Sequence, residues 1–228
     1  MKAEDIKKEL EKFASKDKAN LLSGFFKTGK GQYGEGDIFI GITVPNQRIV
    51  AKKYTDISLE ELQKVITSKI HEHRLTSFII LTYKYPTNKE EIYNFYIKNK
   101  DYANNWDLVD VTTPKVVGAY LFDKDKSILH KLAKSKSLWD RRIAVLATFY
   151  FINQRQFEDS LKIAEILLND HHDLIHKAVG WMLREIGKRD QKVEEAFLNK
   201  HYKKMPRTML RYSIERFSPK RREFYMKK

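Results

Sequence analysis

Strongly apolar segments begin at a nearly constant spacing along the chain. Their starts are His71, Trp106, Trp139, Asp173 and Pro206, so that a new segment follows about every 34 residues. Residues 78–81 and 143–152 are apolar nearly all round, which is typical of buried helices. A fixed spacing of this size, with a second helical segment between each pair, indicates stacked antiparallel helical hairpins. The pattern therefore predicts an all-α fold, an α-solenoid.

A second set of amphipathic or charge-rich helices is predicted between those segments. They cover residues 59–67, 89–98, 126–134, 157–168 and 192–200. Ser58 with Glu61 has the spacing of a capping box, which marks a helix start. Thr87 with Glu90 has the same spacing, and Pro206 suits a first turn, where its missing N–H costs nothing. No linker-like stretch occurs, so we predict one domain over residues 1–228, with helical-hairpin repeats over residues 56–228.

Residues 1–55 form a different, N-terminal part. Residues 1–18 predict a charged amphipathic helix, and residues 21–26 end a helix. The Gly-rich stretch 29–36 lacks a phosphate-loop ending in Gly-Lys-Ser/Thr, and no clear strand precedes it, so an ordered turn is favoured over nucleotide binding. Residues 39–45 are predicted to be an apolar connector into a helix begun by Pro45, because no other segment offers a sheet for a strand to join.

Composition and charge narrow the range of partners. The 228 residues are 42% hydrophobic, enough for a sizeable core, and 44 Lys and Arg against 30 Asp and Glu give a net charge of +14. This charge attracts polyanions, with nucleic acid the first candidate and an acidic membrane surface the second. No apolar run approaches the roughly 18 residues of a membrane-spanning helix. Without a secretory signal or cysteines, we expect a cytoplasmic, nucleoid-associated protein that has no disulfide or thiolate chemistry.

Basic residues on equivalent helices predict a surface for a polyanionic backbone. In a solenoid, equivalent inner helices line the same concave wall. The predicted basic set comprises Arg74, Arg142, Lys177, Arg184, Arg207 and Arg211, with Lys27 and Lys30 added from the Gly-rich region. On a concave face these cations would bind the phosphates of duplex DNA, and tryptophans between them would contact sugars or bases.

Residues 104–110, Asn-Asn-Trp-Asp-Leu-Val-Asp, are the candidate site for chemistry. At the start of a helix, Trp106 and Asp110 lie one turn apart on the same face, and an indole beside a carboxylate can stabilise a developing positive charge. The alternative is structural: a tryptophan that fills a groove and an aspartate that complements the helix dipole. No other nucleophile, magnesium or zinc pattern stands out, so neither a metal site nor a cofactor is predicted.

Four motifs, taken in order, carry a resemblance to a known family. They are Phe39-Ile40-Gly41-Ile42-x-Val44-Pro45-x-x-Arg48, Asn105-Trp106-Asp107-x-Val109-Asp110, Leu138-Trp139-x-x-Arg142-x-Ala144-x-Leu146 and His176-Lys177-Ala178-Val179-Gly180-Trp181-Met182-Leu183-Arg184-Glu185. Together they resemble the AlkD-like DNA alkylation repair family over roughly residues 20–220. The resemblance implies a HEAT-like solenoid that acts as a DNA glycosylase, cutting the N-glycosidic bond of N3-alkyladenine and N7-alkylguanine.

The resemblance also implies roles for individual residues. The family's catalytic carboxylate falls on Asp110, and its two sugar-facing tryptophans fall on Trp106 and Trp181. Its phosphate-contacting arginine falls on Arg142. The implied enzyme acts as a monomer on duplex DNA with alkylated purines, from a concave surface without a base-binding pocket. The Gly-rich stretch departs from the family's form, which leaves its contact with the undamaged strand open.

Two other functions stay open at this point. One is a non-catalytic DNA-binding solenoid that recognises damaged or branched DNA by its shape. The other is a protein-scaffolding HEAT array whose basic surface meets an acidic partner. No lysine stands out for Schiff-base chemistry, so the expected glycosylase is monofunctional and leaves an abasic site.

Overall fold

The computed structural model describes residues 1–227, and the chain divides into two compact units, Met1–Val117 and Gly118–Lys228. Helices dominate both units. Among the described residues the β-type pairing is an isolated bridge between Ile38 and Ile70. The prediction that residues 39–45 form a connector is therefore confirmed, and the helix that follows it begins at Val44, with Pro45 in its first turn.

The first unit is built around one long buried helix. Its helices are α1 Ala3–Glu11, α2 Lys16–Phe25, α3 Val44–Lys53, α4 Leu59–Ile66, α5 His71–Lys84, α6 Lys89–Lys98 and α7 Trp106–Thr113. Residues 71–81 of α5 are all buried, and α5 packs against α3, α4, α6 and α7. The first turn of α5 is polar yet buried, so its side chains need partners inside the unit.

The second unit repeats the hairpin arrangement. Its helices are α8 Ala119–Leu121, α9 Ser127–Ala133, α10 Leu138–Asn153, α11 Glu158–Ile166, α12 Asp173–Gly187, α13 Gln191–His201, α14 Arg207–Ser213 and α15 Pro219–Met226. Helix α10 packs against α9, α11 and α12, and α12 packs against α13 and α14. The predicted all-α fold of stacked helical hairpins is confirmed. The concave basic face and the single domain stay predictions.

Three local predictions need correction. Residues 1–18 form two helices, because the chain leaves the helix after Glu11 and Ser15 caps a new one. Thr87 does not cap α6: its hydroxyl donates to the carbonyl of Lys84 at 2.7 Å, and Asn88 is the cap residue. Pro206 lies just before α14 and serves as its N-cap residue. Elsewhere Ser58 caps α4 as predicted, with Oγ accepting from the Glu61 N–H.

A repeated arginine contact links successive hairpins within each unit. In the first unit, Arg74 Nη1 donates to the carbonyl of Ser68 at 2.9 Å, and its Nε donates to Asn104 at 3.2 Å. In the second unit, Arg141 Nη1 donates to the carbonyl of Ser135 at 3.0 Å, and its Nε donates to Asp170 at 2.6 Å. Each arginine occupies the fourth position of its helix and ties the preceding turn to the next repeat. Arg74 therefore corresponds to Arg141 in the second unit.

Gly180 allows α12 and α14 to approach closely. A Cβ at this position would lie 2.5 Å from the Met209 carbonyl oxygen and 2.6 Å from Tyr212 Cβ. We expect Gly180→Ala to lower the free energy of unfolding by about 1 to 3 kcal/mol, since well-packed helices must move apart. Urea unfolding measures this difference. The matched control is Gly24→Ala on α2, where a Cβ meets open space, and where we expect a gain of up to about 1 kcal/mol. Equal stability of the wild type and Gly180→Ala would contradict the packing account.

Candidate functional site

Helix α7 carries the candidate chemistry of the first unit. Asn105 caps the helix with its side-chain oxygen, which accepts from the Trp106 N–H at 2.9 Å. Trp106 and Asp110 are both half-buried, and their spacing places them one turn apart on one face of the helix. The cap fixes where the helix begins, and therefore which face the two side chains share.

The C-terminal end of α7 is anchored by α6 and changes helix type. Residues Pro114–Gly118 form a π-helical turn directly after it, at a proline that lacks the N–H of a regular α-helix. Tyr96 of α6 is fully buried, and its hydroxyl bonds Thr112 and Thr113 at 3.2 and 2.8 Å. Burial raises the pKa of Tyr96 to about 12, against those hydrogen bonds, and the negative charge of Asp110 acts in the same direction. The Tyr96 hydroxyl is thus a neutral group within the field of Asp110.

The indole of Trp106 packs against two aromatic rings. Its ring stacks on Phe26 with 5.1 Å between centroids and 20° between planes, and Phe25 meets it edge-on at 5.8 Å. Phe26 in turn stacks on Phe39 at 5.0 Å. Because aromatic pairs in such geometries stabilise one another, the indole of Trp106 is held in a fixed orientation.

A buried histidine lies between two carboxylates beneath this aromatic stack. His71 is 1% exposed, its Nδ1 is 3.0 Å from Asp37 Oδ2, and its Nε2 is 2.9 Å from Asp107 Oδ2. Burial of the ring opposes a positive charge, but the charges and hydrogen bonds of Asp107 and Asp37 outweigh it and raise the pKa of His71 to about 8. The ring also stacks on Phe39 at 4.4 Å. Asp107 directly follows Trp106, so this network holds the first turn of α7.

Arg74 completes the network. Its Nη2 donates to Asp37 Oδ1 at 2.6 Å, and Asn104 donates to the same oxygen at 3.2 Å. Burial favours the neutral acid, yet the hydrogen bond of His71 and the charge of Arg74 lower the pKa of Asp37. The side chain of Arg74 is only 4% exposed. This burial favours a structural role, in which Arg74 holds Asp37 and the contacts with Ser68 and Asn104, over the predicted phosphate contact.

The Gly-rich region packs behind the start of α7. Gly34 leaves no room for a side chain, because a Cβ there would lie 2.3 Å from the Phe26 carbonyl and 3.3 Å from Asn105 Nδ2. Its N–H donates to the Lys27 carbonyl at 3.1 Å. Lys27 and Lys30 themselves are exposed. The ordered turn thus supports the cap of α7, with Lys27 and Lys30 at the surface, where the sequence predicted phosphate contacts.

An apolar groove of about 310 Å³ opens beside the aromatic stack within the first unit. Its wall includes Leu22, Phe25, Phe39 and Ile42, and Phe25 is 62% exposed. A pocket that recognises a flipped base needs polar groups to bond the base edge. The exposed wall of this groove is mostly apolar, which suits such a pocket poorly.

Trp181 lies on α12 in the second unit and is held by two contacts. Its Nε1–H donates to Glu185 Oε1 at 3.3 Å, and its ring packs against Phe149 at 5.5 Å. Glu185 is also bonded by Lys188 at 2.6 Å and Arg189 at 3.0 Å. Burial would favour the neutral acid, but Lys188 and Arg189 lower the pKa of Glu185. A charged acceptor therefore fixes the indole, whose ring stays half-exposed.

The remaining predicted DNA contacts differ in accessibility. Arg142 is 5% exposed and donates to the carbonyl of Leu174 at 2.5 Å, which favours a role in holding α10 against the start of α12 over a direct phosphate contact. Lys177 pairs with Asp173 at 2.7 Å, and Arg184 pairs with Glu215. The exposed members of the second unit are Arg207 and Arg211 on α14. Lys177 and Arg184 must exchange a carboxylate for a phosphate if they bind DNA.

The network of Asp37, His71 and Asp107 was not predicted from the sequence. The repeat spacing could have predicted part of this network, because His71 and Asp107 lie in the first turns of helices that start one repeat apart. First turns of stacked hairpins lie side by side. A histidine and an aspartate in those places predict a buried ion pair. Asp37 gave no such signal, since it comes from an irregular loop.

Within residues 1–227, no group of three or more His, Asp or Glu side chains is arranged to hold a metal ion. None of the helices in that range is long and apolar enough to cross a bilayer.

The stacked hairpins of both units place the chain in the α-solenoid class. The family described as DNA alkylation repair enzyme matches residues 6–217, and the chain belongs to that family. A solved structure described as a predicted DNA alkylation repair enzyme from Enterococcus faecalis is similar, with a TM-score of 0.73. The match covers 90% of this chain and 97% of that one at 16% sequence identity, which shows the fold alone. No curated protein matches this chain. Family membership supports a role as an enzyme of DNA repair.

Proposed function

We propose that this protein is a monofunctional DNA glycosylase that excises cationic alkylated purines, N3-alkyladenine and N7-alkylguanine, from duplex DNA. The observation that carries the proposal is the face of α7 shared by Trp106 and Asp110, with the indole braced by Phe26 and the carboxylate half-exposed. The reaction hydrolyses the N-glycosidic bond and leaves an abasic site, as the first step of base excision repair. The substrate is DNA, since the family repairs alkylated DNA.

The departing base does not need to be protonated by the protein. Alkylation at N3 or N7 gives the purine a positive charge, so the base departs as a neutral molecule without a general acid. The sugar left behind has oxocarbenium character. An ionised Asp110 stabilises that charge and positions water for attack on C1′. The fixed π face of Trp106 packs against the cationic sugar and excludes solvent, which strengthens the field of the carboxylate.

Trp181 and the exposed cations complete the proposed assignment. Trp181 contacts the DNA sugar through its half-exposed ring, as the family resemblance implies. Backbone phosphates bind the members of the predicted basic set that are not buried, which are Lys27, Lys30, Lys177, Arg184, Arg207 and Arg211. These contacts carry no sequence information, because phosphates are the same at every base pair.

The choice of lesion tests this mechanism. We expect rapid release of 7-methylguanine and 3-methyladenine, and release of hypoxanthine or 1,N6-ethenoadenine at close to the rate without enzyme. The reason is that neutral lesions do not supply their own leaving-group activation, and the mostly apolar exposed wall of the groove in the first unit is poorly suited to supply it. Single-turnover assays on duplexes that differ only in the lesion give the comparison. Comparable excision of a neutral base would contradict the mechanism and indicate a base-binding pocket with an acid.

A further inference from the structure

The imidazole of His71 is bonded at both nitrogens, and this limits its protonation state. An ionised carboxylate can only accept hydrogen bonds, and a neutral imidazole has one N–H to donate. Asp37 and Asp107 face Nδ1 and Nε2 at 3.0 and 2.9 Å. Both contacts are satisfied together only when the ring carries two protons and a positive charge.

The contacts of this ring lead directly to the proposed catalytic helix. Asp107 accepts from His71 through one oxygen, while its other oxygen accepts from the Leu108 N–H at 2.9 Å, inside the first turn of α7. The ring also packs against Phe26 in a tilted arrangement at 5.1 Å between centroids, and Phe26 stacks on Trp106 at 5.1 Å. Two routes, one polar and one aromatic, therefore connect His71 to the orientation of Trp106.

We propose that doubly protonated His71 is a positioning residue for the reaction: it holds Asp107 and the aromatic stack so that Trp106 and Asp110 face the sugar. This inference rests on the proposed glycosylase function. His71 itself touches no substrate. Loss of one proton breaks one carboxylate contact and leaves a buried carboxylate short of its donor, so the first turn of α7 loses its fixed place.

The surroundings of His71 decide how it titrates. Asp107 faces it from α7 and Asp37 from the loop after α2, and Arg74 on α5 binds the same Asp37. Glu72 and Lys18 share the groove that His71 lines. The Glu72 carboxylate is occupied by the N–H groups of residues 40–42 at 2.8 to 3.2 Å. With a pKa of about 8, the ring loses its charge between neutral and mildly alkaline pH.

His73 provides a matched control on the same helix. It is 3% exposed and bonds Ser68 Oγ at 3.0 Å. Burial and the charge of Lys7 lower its pKa to about 4. His73 is therefore neutral wherever the assay is run, and it has no ring contact with the aromatic stack. A His73→Gln variant removes a buried imidazole without touching the proposed pathway.

The experiment combines rate, ring protonation and fluorescence between pH 6 and 9. Short single-turnover assays follow 7-methylguanine release, with subtraction of a reaction without enzyme because the methylated base is itself alkali-sensitive. Nitrogen-15 NMR of the histidine rings measures the titration of His71. Emission of Trp106 is recorded in a Trp139→Phe, Trp181→Phe variant, in which Trp106 is the remaining tryptophan. This measurement does not require the variant to be active.

We expect both ring nitrogens of His71 to be protonated at pH 7, and the rate and the Trp106 emission to change with the same apparent pKa as the ring. His71→Gln should lower the rate of 7-methylguanine release at pH 7 by about 10-fold to 100-fold. It should also remove the fall in that rate at alkaline pH, and it should leave the DNA affinity unchanged. In His73→Gln the rate should fall with the same apparent pKa as in the wild type.

Two results would overturn the positioning role: a neutral His71 at pH 7, or a rate and emission that stay constant while the ring titrates. A wild type that releases no 7-methylguanine would contradict the proposed function instead. In that case the NMR and the Trp106 emission still decide whether His71 positions the helix.

Discussion

Asp110→Asn is expected to lower the single-turnover rate of 7-methylguanine release by about 10²-fold to 10³-fold, which is the usual loss for one preorganised electrostatic stabiliser. The substitution keeps the size and hydrogen-bonding shape of the side chain but removes the negative charge that opposes the oxocarbenium sugar. Because that charge acts in the transition state and not in the initial complex, the affinity for methylated DNA should change little.

The structural alternative for Asp110 makes a different forecast. An aspartate near a helix start that only complements the dipole contributes about 0.3 to 1 kcal/mol of stability, with little effect on rate. The control is Asp101→Asn, which removes the same charge from a side chain that is 80% exposed in the same unit. Melting temperature and base release are measured on the same preparations. A slightly less stable Asp110→Asn protein with full activity would refute the catalytic assignment.

DNA affinity is expected to fall about 10³-fold between 50 and 200 mM salt, because roughly six phosphate contacts release their condensed counterions on binding. The six members of the predicted set that are not buried supply that number. Sequence changes in the duplex should matter far less than salt, since phosphate contacts do not depend on sequence. Fluorescence anisotropy across a salt series measures the slope of log affinity against log salt concentration.

Single substitutions test where those contacts lie. Arg211→Ala on α14 removes an exposed cation of the predicted set. It should reduce the slope of log affinity against log salt concentration by about one. Lys162→Ala on α11 is the control, because Lys162 is exposed but was not predicted to bind DNA. Equal slopes for wild type and Arg211→Ala would place the DNA elsewhere. A salt-independent affinity would contradict phosphate binding altogether and favour a protein partner.

The helices could be predicted because their signals are local or periodic. The starts of α5, α7, α10, α12 and α14 follow the apolar repeat to within one residue. The connector at residues 39–45 was identified because nothing else in the chain could form a sheet with it. Thr87 shows the limit of such rules: its capping-box spacing was present, but its hydroxyl bonds a carbonyl of the preceding helix.

The contacts inside the site could not be read from spacing alone. Arg74 and Arg142 both looked like surface cations, and only packing showed that each is buried against a backbone carbonyl. Asp37 reaches His71 because the Gly-rich region packs against the C-terminal end of α2, and that path depends on tight approaches such as the one between Gly34 and the Phe26 carbonyl. The pair of Trp106 and Asp110 was accessible to sequence reasoning because one helical turn connects them.

Release of free 7-methylguanine from methylated duplex DNA tests the central claim most directly. Purified protein is mixed in excess with the duplex, the released base is identified by mass spectrometry, and the strand is examined before and after alkaline cleavage. The account predicts free base well above the reaction without enzyme, with a strand that breaks only after alkali treatment, as an abasic site does. Absence of released base under conditions in which the protein binds the duplex would contradict it and leave a non-catalytic DNA-binding solenoid.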